Sequence, residues 1–340
     1  ANQNWKISES PDNEILFANS FGLLFYNGAS WNSYDSPNGS IIRSVKNIDD
    51  KIYIGSHSDF GYFQRASNGT FEYTSLVNLL DLNIEEDEEF WNILLLDNWI
   101  IFQSISRLIF IDKNNNDVKY LKFKGIVNNS FSIEKQIYIA LDNGLYKLIN
   151  GQPEQILNST QIPSQIVNIF NSEKGMLILT ANNGFYLLKE SGLVSKFSSP
   201  LDSLKDDLSI FSAIQLSDSS YAIGSVGQGL FLLDSNFKNL QKIDKSKGLA
   251  NNTVLSLYED SNKNIWLGLD NGITVINNDS PFSIFSDNFG EIGTVYATKL
   301  FNDKLYVGTN QGLYQKDFNT PDPFQLMEGT NGQVWSLIEI

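Results

Sequence analysis

The sequence predicts an all-β fold assembled from one repeated four-stranded unit, and three observations carry that reading. First, eight segments share one pattern: a short apolar run, a few small or polar residues, a pivot, then a second apolar run. They run from Ile15 to Tyr26, Ile52 to Phe63, Trp99 to Ile111, Ile137 to Leu148, Met176 to Leu188, Tyr221 to Leu233, Ile265 to Ile276 and Leu305 to Gln315. Second, the pivots Gly22, Gly61, Arg107, Gly144, Gly184, Gly229, Gly272 and Gly312 recur every 37 to 46 residues. Third, no segment keeps a helical period over three turns, while the apolar runs are rich in β-branched and aromatic residues bounded by Asn, Asp, Ser and Gly. Four short strands per repeat, repeated along the chain, describe the blades of a β-propeller.

The unit around Gly272 shows the elements in order. Val254 to Tyr258 is a strand, Glu259 to Asn264 a polar turn, and Ile265 to Gly268 a second strand. The pivot follows, then Ile273 to Ile276 and finally Phe282 to Phe285 as the third and fourth strands. A glycine at the pivot permits a positive φ or a close backbone approach where the second strand turns into the third. Residues 1–340 thus read as one repeat region of eight units, and the run from residue 334 to 340 begins a further unit or closes the ring.

Composition narrows function. The 340 residues hold 24 basic and 39 acidic side chains, a net charge of −15, which opposes direct nucleic-acid binding by this segment. There is no cysteine and a single histidine, His57, so thiolate chemistry and two-imidazole metal centres are ruled out, and no metal or cofactor is expected. No apolar run reaches about 18 residues, so no membrane insertion by this segment is expected.

The stretch from Gly248 to Gly272, with Glu259-Asp260-Ser261-Asn262-Lys263-Asn264-Ile265-Trp266-Leu267-Gly268 at its centre, resembles the two-component regulator propeller repeat. The opening, Asn4-Trp5, Phe17-Ala18-Asn19 and Phe60-Gly61-Tyr62-Phe63 among others, is similar to the branch that carries a triple-tyrosine domain. The resemblance implies seven blades per propeller, against eight units counted, and seven is the number adopted. It also implies a bacterial, extracytoplasmic location (periplasmic, as part of an inner-membrane protein), a neighbouring propeller and a triple-tyrosine domain as partners, and a kinase or DNA-binding output elsewhere in the parent chain. On that basis the chain is expected to be a fragment cut at or just into a ninth unit. Arg107 at a pivot and the absence of Trp from most second strands depart from the repeat.

No catalytic signature emerges. The glycines of Gly224 to Gly229 lack the Lys of a P-loop, and no G-x-S-x-G is present. Asp260, Asn262 and Asn264 imitate the start of a calcium loop, but Ile265 stands where glycine is required, so a hairpin turn is the expectation. The acidic run Glu85 to Glu89 falls in the longest spacing and reads as a solvated insertion.

Binding is the better-supported chemistry. In a propeller the loops leading into the first strands share a face with the pivot loops, so their residues converge. We assign Arg43, His57, Asp59, Phe60, Trp91, Arg107 and Tyr296 as candidate ligand-binding residues. Aromatic faces beside Arg, Asp and His suit a sugar or another small polar ligand. The expected function is an extracytoplasmic, non-enzymatic ligand-sensing propeller of a transmembrane signalling regulator. The alternatives are an interaction scaffold that forms a homodimer and, less favoured, a polysaccharide-active enzyme.

Overall fold

A computed structural model describes residues 2–36, 38–67, 69–204, 208–277, 292–318 and 323–339. The chain divides into two compact units, 1–281 and 282–340. In the first, seven antiparallel sheets follow one another, each a meander whose strand order is the chain order. Six have four strands. The seventh shows Val254–Glu259, Asn264–Leu269 and Ile273–Asn277; the expected fourth run, Phe282 to Phe285, lies outside the described residues. Helix among the described residues is confined to Leu76–Leu79 and two short 3₁₀ turns, as the missing helical period predicts.

The innermost strands are Asn4–Glu9, Ser44–Ile48, Asn92–Leu96, Val127–Ile133, Ile166–Ser172, Ile210–Gln215 and Val254–Glu259. Each packs against the next, and Val254–Glu259 packs against Asn4–Glu9, so the seven close a ring around a central channel. Neighbouring blades cover both faces of every sheet. The second strands therefore read as unbroken apolar runs, and Ile15–Asn19 and Tyr221–Ser225 are buried at every residue. Outer strands such as Trp31–Asp35 are mostly exposed.

Seven apolar clusters fill the seams between blades, one per seam. The seam joining the seventh blade to the first is the leanest, with only Ile7, Ile15, Phe17 and Trp266 buried, and polar contacts supplement it. Alternation along Asn264–Leu269 turns Ile265, Leu267 and Leu269 toward the sixth blade and Trp266 toward the first. There the indole lies 5.9 Å from the Phe17 ring and 5.6 Å from that of Tyr26. Its Nε1 donates to Asp260 Oδ2 at 2.7 Å. Asp260 also accepts from the backbone N of Asn262 and Asn264 and from Asn264 Nδ2. The calcium-like motif is thus a hairpin turn whose carboxylate is engaged by its own loop.

A series of polar side chains runs around the inner strands. Ser44 donates to Phe90 O (2.8 Å), Asn92 to Ser130 O (2.9 Å), Asn129 to Val167 O (3.0 Å), Asn168 to Ala213 O (2.6 Å), Ser212 to Val254 O (3.1 Å) and Ser256 to Asn4 O (2.8 Å). All six occupy one register position, and each ties its blade to the next. The first blade places Lys6 there instead, opposite Ala18. Gly268 shows what this approach demands: a Cβ at that residue would overlap Ser256 Oγ and Asn4 O.

The second unit holds one sheet, Val295–Phe301, Lys304–Thr309, Leu313–Asp317 and Gln325–Leu326. The run after residue 333 forms no strand among the described residues. Val334 N nevertheless donates to Thr309 O (2.8 Å), as Ile42 N does to Asn19 O (3.3 Å) where the second blade follows the first. The eight sequence units therefore appear as seven sheets in one unit and one in the other.

Replacing Trp266 with Ala removes the largest apolar group of the leanest seam and should cost roughly 3–5 kcal/mol. Chemical denaturation measures this, and a midpoint unchanged from the parent would show that the seam does not depend on the indole.

Candidate functional site

The segment between the second and third blades shapes the candidate site. Ser75 caps Leu76–Leu79 by accepting from Asn78 N at 3.1 Å, and buried Leu76 and Phe90 pin the ends of the insertion. Between them lies the acidic run, in which Glu85, Glu86 and Asp87 are exposed, Glu89 is half-buried and Glu88 is buried. Glu85 pairs with Lys122 at 2.9 Å, Asp87 Oδ1 lies 3.4 Å from His57 Nε2, and Glu88 pairs with Arg107. Glu89 accepts from Arg43 Nε and Nη2 at 3.1 and 2.9 Å. Four of the five acids thus meet basic residues of the chain itself; the expected solvated insertion holds for Glu85, Glu86 and Asp87, and Glu88 departs from it. The reason is topological: Arg43 and His57 belong to the second blade and Arg107 and Lys122 to the third, so only folding brings them to the run.

Trp5, Arg43 and Trp91 lead into the inner strands of three successive blades at one register position. Trp5 sits in the bulge between Asn4 and Lys6, while Arg43 N and Trp91 N donate to Gly55 O and Gln103 O. The Arg43 guanidinium lies 4.4 Å from the Trp5 ring and 4.3 Å from the Trp91 ring. This sandwich is worth more than an exposed pair because the cation is largely desolvated. Neither indole N–H has an acceptor among the described residues.

The predicted residues separate on the structure. Phe60 is fully buried, stacked on Phe102 at 4.1 Å and edge-on to Phe90; it is a core residue and not a surface for a ligand. Arg107 is buried too, its Nε donating to Glu88 Oε1 at 2.8 Å and its Nη2 to Asn83 O at 3.0 Å. The bonds to the Glu88 carboxylate hold its pKa above the ordinary guanidinium value, and its role is to lock the insertion onto the third blade. Tyr296 belongs to the second unit, stacked on Trp335 at 4.2 Å, whereas the other six belong to the first. Arg43 and Trp91 share the mouth sandwich, with Arg43 already committed to Glu89.

His57 and Asp59 remain on an open surface. Asn38 Nδ2 donates to His57 O at 2.7 Å. Beside them is a concavity of about 570 Å³ lined by Asn38, Asp59, Tyr73, Thr74, Ser75, Asn78 and Leu79. Tyr73 Oη donates to Asp59 Oδ2 at 3.0 Å and Ser75 Oγ to Oδ1 at 2.6 Å. Burial raises the Asp59 pKa, and the bonds from Ser75 and Tyr73 oppose that rise. The Tyr73 hydroxyl is raised as well, by burial and then by the neighbouring carboxylate. Tyr73 and Asn38 escaped the sequence reading, because nothing in their local pattern distinguishes them from outer-strand and loop residues.

A β-propeller with a polar concavity on its rim is the class that fold and site define. Within its seventh blade, residues 248–271 match the family described as Two component regulator propeller. Among curated proteins, the chain is 23% identical over 283 residues to "Histidine kinase P4" of Formosa agariphila, covering 80% of this chain and 18% of that protein. Among solved structures, it resembles one described as the extracellular domain of a one component system, BT4673 from B. thetaiotaomicron. That likeness has a TM-score of 0.67 and 18% identity, over 100% of this chain and 49% of the other. It also resembles the extracellular domain of the hybrid two component system BT3049 from the same organism, with a TM-score of 0.70 and 17% identity, over 93% of this chain and 46% of the other. The chain therefore spans under half the length of these two structures and less than a fifth of the curated relative.

Two outcomes follow. Glu88→Ala should destabilise the fold by about 3–5 kcal/mol, because it leaves a buried guanidinium unpaired. Adding Arg107→Leu to that variant should recover much of the loss in denaturation midpoint. The second outcome concerns pH. With its folded pKa above the unfolded 3.8, Asp59 binds its proton more readily in the folded state, so its ionised form weighs against stability at neutral pH. Relative to Asp59→Asn, the parent should gain stability as pH falls through the raised pKa, with the gain complete below 3.8. Parallel melts of the two proteins from pH 7 to pH 3 check the sign.

Proposed function

We propose that this chain is the extracytoplasmic ligand-sensing propeller of a bacterial transmembrane signalling regulator, with no catalytic role of its own. The observation that carries the ligand-sensing part is the concavity around Asp59. A carboxylate held by one hydroxyl on each oxygen keeps lone pairs free for the hydroxyls of a ligand. Asn38 and Asn78 add amide donors and acceptors, and Leu79 offers an apolar edge. That combination suits a neutral, hydroxyl-rich ligand such as an oligosaccharide. An anion is disfavoured here, because the nearby cations Arg43 and Arg107 are paired with Glu89 and Glu88.

The signalling part is supported by the regulator repeat at 248–271, by the histidine kinase likeness and by the extracellular domains that share the fold. None of the described helices is long and apolar enough to cross a membrane. In such a sensor, a ligand moves the signalling equilibrium only by binding one arrangement of the parent protein better than another.

Calorimetric titration of the folded chain with a panel of neutral oligosaccharides tests the site. A ligand found this way should bind Asp59→Ala and Tyr73→Phe at least about tenfold more weakly, the scale of one lost hydrogen bond to a charged group. Trp91→Ala, outside the concavity, should retain most of the affinity. Unchanged binding by folded Asp59→Ala would place recognition elsewhere.

A further inference from the structure

Lys6 and Lys46 lie on adjacent inner strands, Asn4–Glu9 and Ser44–Ile48. An inner strand is covered on both faces by neighbouring blades and on one edge by its own second strand, so its only open side is the channel. Both lysines are partly exposed, and that exposure therefore faces the channel. Among the described residues neither amine makes an ion pair or a side-chain hydrogen bond. The nearby acids are engaged elsewhere: Glu9 with Ser261 and Tyr258, Asp49 with Lys113, and Asp50 with Gln64.

The fold does not ask for these cations. At the register position of Lys6, the other six blades use Ser or Asn to reach the following blade. At the corresponding position of Lys46, the third to fifth blades use buried Leu94, Phe131 and Phe170. The two departures from the ring lie on adjacent inner strands, each on the face turned toward its following blade, and carry the same charge. Burial lowers the pKa of both amines, and the charge of Lys46 lowers that of Lys6 further, as expected of like charges held together with no counter-ion. In a chain of net charge −15, this is a local reversal of the field.

We propose that Lys6 and Lys46 form an anion-binding site in the central channel of the first unit, taking a carboxylate, sulfate or phosphate group. An anion between the amines would supply the charge-assisted hydrogen bonds that the fold leaves unmade. The proposal goes beyond the sensing role and does not depend on the Asp59 concavity.

Thermal melts of the parent, Lys6→Asn and Lys46→Met in sodium sulfate, phosphate or acetate, each against sodium chloride at equal ionic strength, test it. Sulfate stabilises proteins generally, so the readout is a saturable excess over the variants. The parent should show that excess at millimolar concentration with at least one of the three anions, and their ranking identifies the group preferred. Lys6→Asn, which installs the residue that three other blades use, should fold, melt about 1–3 °C higher in chloride and lose the excess. As a second measurement, acetic anhydride labelling read by mass spectrometry should show the effective anion protecting Lys6 and Lys46 but not exposed Lys135. Equal anion responses in the parent and both variants, or labelling of Lys6 and Lys46 that no anion alters, would overturn the site.

Discussion

Closure of the ring between the seventh blade and the first is the constraint on which the rest of the first unit depends. Every other seam joins neighbours in sequence, whereas this one pairs Ser256 with Asn4, 252 residues apart. The entropy of closing so long a loop is modest. Each doubling adds about 0.6 kcal/mol, so spanning 252 residues in place of the roughly 40 of one blade adds only about 1.6 kcal/mol. Trp266 wedged against Phe17 and Tyr26 offsets that. So do the hydrogen bonds from Asn4 Nδ2 to Gly272 O (2.8 Å), Gln3 Nε2 to Asp270 Oδ1 (2.7 Å) and Ser261 Oγ to Glu9 Oε1 (2.9 Å). Polar specificity replaces apolar area at the one seam whose partners must find each other across the whole unit.

Closure sets what the other blades present. With seven inner strands held in register, Trp5, Arg43 and Trp91 become neighbours at the channel mouth, and Lys6 and Lys46 become neighbours within it. The acidic insertion then fastens the second blade to the third through four basic residues. Its consequence for recognition is a division of labour. The arginines that look like ligand donors are spent on internal pairs, while Asp59 and the channel lysines are among the charged groups that meet no opposite charge among the described residues.

Much of the fold was legible because a propeller imposes the same demands at every blade. Ile265-Trp266-Leu267-Gly268 announces a strand covered on both faces, and Asp260 to Asn264 announces the turn that holds the indole. The site was legible only in part. Asp59 and His57 stood out as pivot-loop residues and do lie on an open surface. Phe60 and Arg107 stood out for the same reason, yet they serve the insertion's packing, since a loop position does not say whether its side chain meets a ligand or a neighbouring loop. The pairing of Glu85 to Glu89 with residues of two blades was invisible, because a charge run carries no record of which distant side chains it will meet. Lys6 escaped notice because its significance lies in the Ser and Asn residues of the other blades, and only strand register aligns them.

Amide hydrogen exchange on the intact chain, resolved by peptide mass spectrometry, tests ring closure most directly. If the seventh blade closes on the first, the strands Asn4–Glu9 and Asn264–Leu269 belong to the same cooperative unit as an interior strand such as Gln136–Leu141, and their protection should agree within about tenfold, or 1.4 kcal/mol. Exchange of the first and seventh blades several orders of magnitude faster than that interior strand, in the manner of frayed ends, would contradict it.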